Sequence, residues 1–260
     1  MTKPSENTLE NKLQFWNGRA ELGTVAGSDD FILKELEIAA ILARVPTGAR
    51  VLDVGCGNGD TLIKLARDRG VSGMGLDFAE KMVGLATQAA TKADLAERLQ
   101  FRQGKLPGLD KSVGMFDIIL SQRCLINLDG AEAQRAAARE LMAQLKPGGR
   151  YLMVESFQQG LDRTNALRKV FELETMSPPW HNIFIDEEGA ATWGEGLCTL
   201  EERVSLSSTY HLLSRVVYAK LAKDRGEALR YDSEINMLAL KLPAIGDLGP
   251  VKLYSFRRDA

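Results

Sequence analysis

Val51-Leu52-Asp53-Val54-Gly55-Cys56-Gly57-Asn58-Gly59-Asp60 joins an apolar strand to three alternating glycines and then to a helical pattern. Glycine is needed where a backbone bends sharply or approaches a ligand with no Cβ in the way, and three at alternate positions exceed what a simple turn requires. The loop therefore reads as a ligand floor. A dinucleotide fingerprint would place a sixth-position glycine in Gly-x-Gly-x-x-Gly so that a pyrophosphate rests on the following helix N-terminus. That place is Asp60, and Asp53 brings a second carboxylate to the same strand end. Two acids oppose a phosphate and favour an uncharged or cationic ligand, which disfavours nicotinamide-dependent oxidoreduction.

Working outward, strand and helix patterns alternate. Strand one is expected over Arg50 to Val54, followed by a helix carrying Leu62, Leu65 and Ala66 that stops at Gly70, a residue suited to the left-handed cap. Strand two, Gly73 to Asp77, also ends in an acid. A helix around Met82, Leu85 and Ala89 leads to a third strand, Leu99 to Gly104. Phe116 to Ser121 reads as the fourth strand. Asp129-x-x-Glu132 is close to a capping box for a helix marked by Ala133, Ala137, Leu141 and Leu145, which Lys146-Pro147-Gly148-Gly149 ends. Tyr151 to Val154 is the fifth strand, with Glu155 at its tip. Such alternation implies right-handed crossovers, a parallel sheet, and ligands at the carboxyl ends of the strands.

S-adenosylmethionine carries an ammonium and a sulfonium that suit acidic side chains beside an open glycine turn. The stretch Asp53 to Gly59, D-V-G-C-G-N-G, resembles the first motif of the class I S-adenosylmethionine-dependent methyltransferases, and the later order of helix, L-K-P-G-G and strand is a second likeness. Together they cover roughly Ala49 to Phe157. The resemblance implies an α/β, Rossmann-like seven-stranded sheet with helices on both faces and an antiparallel last strand, expected at the sheet edge. It also implies S-adenosylmethionine at Asp53, Gly55, Cys56 and Gly57, with Asp77 accepting both ribose hydroxyls and Ser121 at the catalytic edge. The family usually has an aspartate after the third-strand glycine to hold adenine; here Gly104 is followed by Lys105. Backbone N–H groups of Lys105 and Leu106 are expected to reach the ring, with Phe78 or Met82 over its face.

Length and charge bound the rest. The 260 residues suit one large α/β domain with additions, and a net charge of −2 argues against a broad nucleic-acid footprint. We divide the chain into an N-terminal helical lid (1–45), a cofactor core (46–157), an acceptor-pocket insertion (158–202) and C-terminal strands (203–260). Three cysteines, odd in number and without a Cys-x-x-Cys, point to reduced thiols in the cytoplasm and give no zinc motif. Met1 to Asn11 is polar, without an export core, and no run approaches a membrane span. No metal site is assigned, and a homodimer is an allowed assembly.

In the lid, a helix beginning near Asp29 or Asp30 carries Ile32, Leu36, Ala39 and Leu42 on one face. Trp16 is expected either to close over the cofactor or to anchor a leading helix. In the insertion, Met176-Ser177-Pro178-Pro179-Trp180-His181-Asn182-Ile183-Phe184 restricts the backbone while offering stacking and hydrogen bonding. Asp186-Glu187-Glu188 reads as a helix N-terminus in preference to metal ligands. A sixth strand is expected over Arg203 to Val217, bearing Tyr210, His211 and Arg215, then a short helix before Gly249 and a last strand from Val251 to Phe256.

An alcohol acceptor must lose a proton, which directs attention to the two histidines. His181 is assigned as general base or acceptor contact, with a structural turn residue as the alternative; His211, inside a strand pattern, is as readily structural. Arg123, Trp180, Asn182, Tyr210 and Arg215 are assigned to the acceptor, the arginines as partners for a nucleotide diphosphate. Arg123 to Asn127 together with Pro179 to Asn182 is similar to bacterial sugar O-methyltransferases. The expected function is O-methylation of a small polar acceptor, a sugar or nucleotide-linked sugar. Amine N-methylation and a non-catalytic S-adenosylmethionine-binding module are the alternatives.

Overall fold

The computed structural model describes residues 7–260, so the polar character of Met1–Glu6 lies outside the described residues. Strands β1 (Arg50–Val54), β2 (Ser72–Asp77), β3 (Leu99–Gln103), β4 (Phe116–Gln122), β5 (Leu145–Ser156), β6 (Cys198–Val204) and β7 (Val251–Arg258) form one sheet in the order β3-β2-β1-β4-β5-β7-β6. β1 pairs in parallel with β2 and β4, and β7 runs antiparallel to both neighbours. The last strand is thus antiparallel as expected, but β6 occupies the edge and β7 lies inside it. Strand order reverses between β1 and β4, the place where open α/β sheets bind ligands at their carboxyl ends.

Alternation along each strand builds two cores. Val51, Ile118, Leu120, Leu152 and Val154 face one layer; Leu52, Ile119, Tyr151 and Met153 face the other. The first layer is covered by α2 (Phe31–Leu42) and α3 (Asp60–Arg69), the second by α5 (Ala131–Ala143). Helix α3 stops at Gly70 in the left-handed conformation, φ 62°. Helix α4 (Glu80–Lys92) packs beside β3, and α1 (Leu9–Arg19) lies against α4.

Four local expectations change. The stripe on α2 is rotated: Ile32, Leu33, Ile38 and Ile41 are buried while Ala39 is exposed, because Glu37 is turned inward to an ionic partner. Gly130 precedes α5 with no side-chain cap, so Asp129 is released for another contact. The Leu145–Gly149 segment follows α5 but already belongs to β5. The expected strand over Arg203–Val217 divides. β6 ends at Val204, and α8 (Ser208–His211), a π-helical turn (Leu212–Val217) and α9 (Tyr218–Arg225) follow. Its hydroxyls find partners that a strand ladder would not supply: Ser207 Oγ donates to Val251 O at 2.8 Å, Ser208 Oγ to Ile245 O at 2.6 Å and Thr209 Oγ1 to Pro243 O at 2.6 Å. Within the insertion are α6 (Gln158–Val170) and α7 (Glu187–Ala191), whose first residue follows the capping Asp186, and α10 (Glu234–Leu238) is the short helix before Gly249. Among the described residues, no helix is long and apolar enough to cross a membrane.

Candidate active site

The glycine turn is fastened to β2. Gly55 N and Cys56 N both donate to Leu76 O, at 2.7 and 3.0 Å, and Gly57 N donates to Asp77 Oδ2 at 2.9 Å. Gly55 has φ 74°, and a Cβ there would lie 2.6 Å from Cys124 Cβ and Sγ, so the turn needs glycine for both conformation and space. Asp77 Oδ1 accepts from Ala79 N at 2.9 Å. Each Asp77 oxygen keeps a second lone pair for a ligand hydroxyl.

Asp53 is almost wholly buried, and burial, with Asp77 nearby, pushes its carboxyl up to about 7. Burial also raises Asp77, against the backbone N–H groups that stabilise its charge. No cation pairs with either acid among the described residues. Asp60 differs: Lys34 Nζ forms a short ion pair with it, and Asn58 Nδ2 donates to it at 3.0 Å. The negative field at the turn therefore comes from Asp53 and Asp77, and Asp60 is offset.

These groups line one cavity of about 760 Å³. Trp16, Asp53, Gly55, Cys56, Gly57, Asp77, Phe78, Gly104, Lys105, Leu106, Arg123, His181, Asn182 and Arg215 all reach it. Four assigned residues lie outside its wall. Met82 packs with Ala20, Ala26 and Ala79 beneath the N-terminal helix, where an apolar side chain is better spent. Ser121 points to the far side of β4 and shares a 2.6 Å hydrogen bond with the Tyr151 hydroxyl; the period of the strand offers Gln122 to the cavity instead. Trp180 stands behind His181, 5.2 Å between ring centres. Tyr210 donates its hydroxyl to Asp30 at 2.7 Å.

His181 is wedged among rings. Its imidazole lies 4.6 Å from Phe15 at a 30° tilt and meets Trp16 edge-on at 5.6 Å. Its Nδ1 is buried with no hydrogen-bond partner among the described residues. Burial first, then Lys12 and Arg19, lower its pKa to about 4, so the ring is neutral at neutral pH. His211 is buried with Nδ1 3.0 Å from Ser207 O, also lowered to about 4 by burial, and does not line the cavity.

Asn127 links three segments that the sequence separates. Its Oδ1 accepts from Trp16 Nε1 at 3.3 Å and Asn182 Nδ2 at 3.4 Å, its Nδ2 donates to Arg123 O at 2.9 Å, and its carbonyl accepts from Lys12 Nζ at 2.6 Å. Lys12, 2% exposed, also pairs with Asp129 at 2.7 Å. The loop beneath is braced by Glu155, whose carboxylate accepts from Cys124 N and Leu125 N at 3.1 and 2.9 Å; burial raises its pKa to about 7. Lys12, Gln122, Asn127 and Asp30 carry no local signal in the sequence that assigns them to a site, because each acts through a distant partner.

A family model described as a methyltransferase domain matches residues 47–193. Among curated relatives, the demethylmenaquinone methyltransferase of Lactobacillus johnsonii is 33% identical over 144 residues, 55% of this chain and 55% of that protein. The 27-O-demethylrifamycin SV methyltransferase of Amycolatopsis mediterranei is 36% identical over 104 residues, 40% of this chain and 37% of that one. The chain spans about half the length of the curated relatives it matches. Among solved structures, a TehB-like SAM-dependent methyltransferase from Corynebacterium glutamicum superposes with a TM-score of 0.54 at 17% identity, covering 96% of this chain and 97% of that one. YjhP of Escherichia coli superposes at 0.50 and 22%, covering 87% and 92%. At these identities the structural likeness speaks for the fold alone. With the matched residues spanning the glycine turn, the acidic strand ends and the His181 segment, the chain belongs to the methyltransferase-domain family and carries the class I S-adenosylmethionine-dependent methyltransferase fold.

Proposed function

We propose that this chain transfers a methyl group from S-adenosylmethionine to a hydroxyl of a small polar acceptor, a sugar in the first instance. The fit to the cofactor rests on Asp53 and Asp77, two buried carboxylates without a cation partner among the described residues, beside a turn open at Gly57, where a Cβ would meet nothing within 4 Å. In this reading Asp77 accepts from the ribose hydroxyls, Phe78 and Leu106 cover the adenine faces, and Trp16 and Phe15 exclude water; what supports it is that all five line the one cavity. When bound, the cofactor supplies an electrophilic methyl on a sulfonium whose bonding pair returns to sulfur as the new C–O bond forms.

The chain contributes alignment above all, since positioning alone supplies about 7–11 kcal/mol of such a barrier. The acceptor proton is the remaining task. The single observation that carries O-methylation is His181 on the cavity wall, neutral at neutral pH and so able to accept a proton. Its low pKa makes it a weak base, yet an alkylated oxonium is strongly acidic, so the imidazole takes the proton as or after the C–O bond forms. The rings of Phe15, Trp16 and His181 line the cavity and supply apolar surface against which a sugar packs.

The test is methyl transfer to a panel of hydroxylated sugars by the wild type and His181→Ala, each first confirmed to bind S-adenosylhomocysteine. Loss of general-base help lowers turnover about a hundredfold; an unchanged rate removes the assigned base. Amine N-methylation is the second reading, favoured by the same low pKa because a neutral amine needs no strong base. Turnover of amines in preference to sugars would establish it.

A further inference from the structure

Three arginines line the cavity, and each has a carboxylate within ion-pair distance. Arg215 Nη2 lies 2.6 Å from Asp30 Oδ2, and its guanidinium sits between the rings of Tyr210 and Tyr231, 5.4 Å from each centre. Asp30 is held in turn: Oδ1 accepts from the Tyr210 hydroxyl at 2.7 Å and from Leu33 N at 3.1 Å. Arg123 Nε lies 3.2 Å from Oε1 of Glu37 without a hydrogen bond between them. The Glu37 side chain has no exposure, and burial pushes its carboxyl up against the opposing pull of Arg123, so this pair is the weaker of the two inner ones. Arg19 grips both oxygens of Asp29, at 3.1 and 3.0 Å. All three acids come from residues 29–37, which run from the turn before α2 to its middle.

A phosphate reaching Arg215 or Arg123 would have to displace Asp30 or Glu37, leaving a buried carboxylate without its counter-charge, or face a pair whose field is cancelled. Both are unfavourable at pairs as deeply set as these, with Asp30 and Glu37 buried. An uncharged sugar meets no such penalty. Its hydroxyls donate to the carboxylate and accept from the guanidinium of an intact pair.

We infer that the arginine-lined part of the cavity is built for an electroneutral, polyhydroxylated acceptor, and that the carboxylates of residues 29–37 exclude phosphorylated and nucleotide-linked sugars. This rests on the methyl-transfer reading for the occupant of the rest of the cavity. It replaces the diphosphate partnership expected for Arg123 and Arg215 from the sequence.

The test is calorimetric titration of S-adenosylhomocysteine-loaded protein with pyrophosphate and with uridine diphosphate, comparing wild type, Asp30→Asn and Glu37→Gln. Asp30→Asn keeps an oxygen to cap α2 and to accept from Tyr210, and Glu37→Gln is the second variant should the first melt early. The wild type is expected to give no saturable binding at millimolar probe. Each folded variant gains it, tighter by about tenfold or more. Saturable binding of either probe to the wild type overturns the inference, as does methyl transfer to a nucleotide-linked sugar or the absence of any gain in variants that melt like the wild type. The loading step reports separately on the methyl-transfer reading, since absence of S-adenosylhomocysteine binding sinks that reading whatever the probes do.

Discussion

The Trp16 indole N–H donates to the side-chain oxygen of Asn127 across 111 residues of chain, and this bond fastens the N-terminal helix over the cavity. Asn127→Ala removes that acceptor and the donation to Arg123 O. The Trp16 bond that holds the helix is worth about 1 kcal/mol, so affinity for S-adenosylhomocysteine is expected to fall about fivefold. Calorimetry on Asn127→Ala beside the wild type measures it; equal affinities would mean the helix stays closed without this bond.

Binding of the cofactor is expected to depend on the proton of Asp53. Its folded-state carboxyl titrates near 7, so below that pH it is largely protonated and neutral, and a cationic ligand must expel the proton. Affinity for S-adenosylmethionine therefore falls by up to about tenfold per pH unit below 7 and levels off above it. Titrations at pH 6 in buffers of different ionisation enthalpy should register proton release. Asp53→Asn is expected to abolish that release, and a pH-independent affinity in the wild type would remove the argument.

His211 sets a term in acid stability. Its folded pKa of about 4 lies below the ordinary 6.5, so it contributes stability present above about pH 6.5 and lost as the pH falls through 4. The shift corresponds to roughly 3 kcal/mol. Buried Asp53 and Glu155 slope the other way, since acids raised to about 7 favour the folded state as the pH falls from 7 towards 4. Comparing urea midpoints of wild type and His211→Asn between pH 7 and 4 isolates the histidine: the variant should lose less stability on acidification. Parallel curves would contradict the assignment.

Gly55→Ala is expected to destabilise by about 2–4 kcal/mol, the sum of a left-handed backbone penalty and a clash in a packed site. The new Cβ would meet Cys124 at 2.6 Å while φ stays at 74°. Adding Cys124→Gly should recover the steric part and leave the conformational part. Full recovery in thermal melts would show that crowding alone reserves this position for glycine.

Much of the core was legible because its signals are local. Alternating apolar residues in β1 and β4, the three glycines after Asp53 and the cap at Gly70 depend only on neighbours along the chain, so their sequence pattern carries the conformation. The stretch from Arg203 to Val217 misled for the complementary reason. Its mix of β-branched and aromatic residues reads as strand, while the hydroxyls that settle Ser207 to Thr209 into a helix bond to residues 243–251.

The sequence by itself determined an alternating strand–helix core and the acidic glycine turn, since backbone geometry and strand period are written in adjacent residues, and its motifs carried the likeness to class I methyltransferases. Only the tertiary structure decided that Asp60 is offset by Lys34, that Ser121 and Met82 face away from the cavity, and that Arg215 is closed by Asp30 from 185 residues away. Charge and hydrogen-bond partnerships of that kind depend on distances in space, and the order of residues along the chain does not specify them.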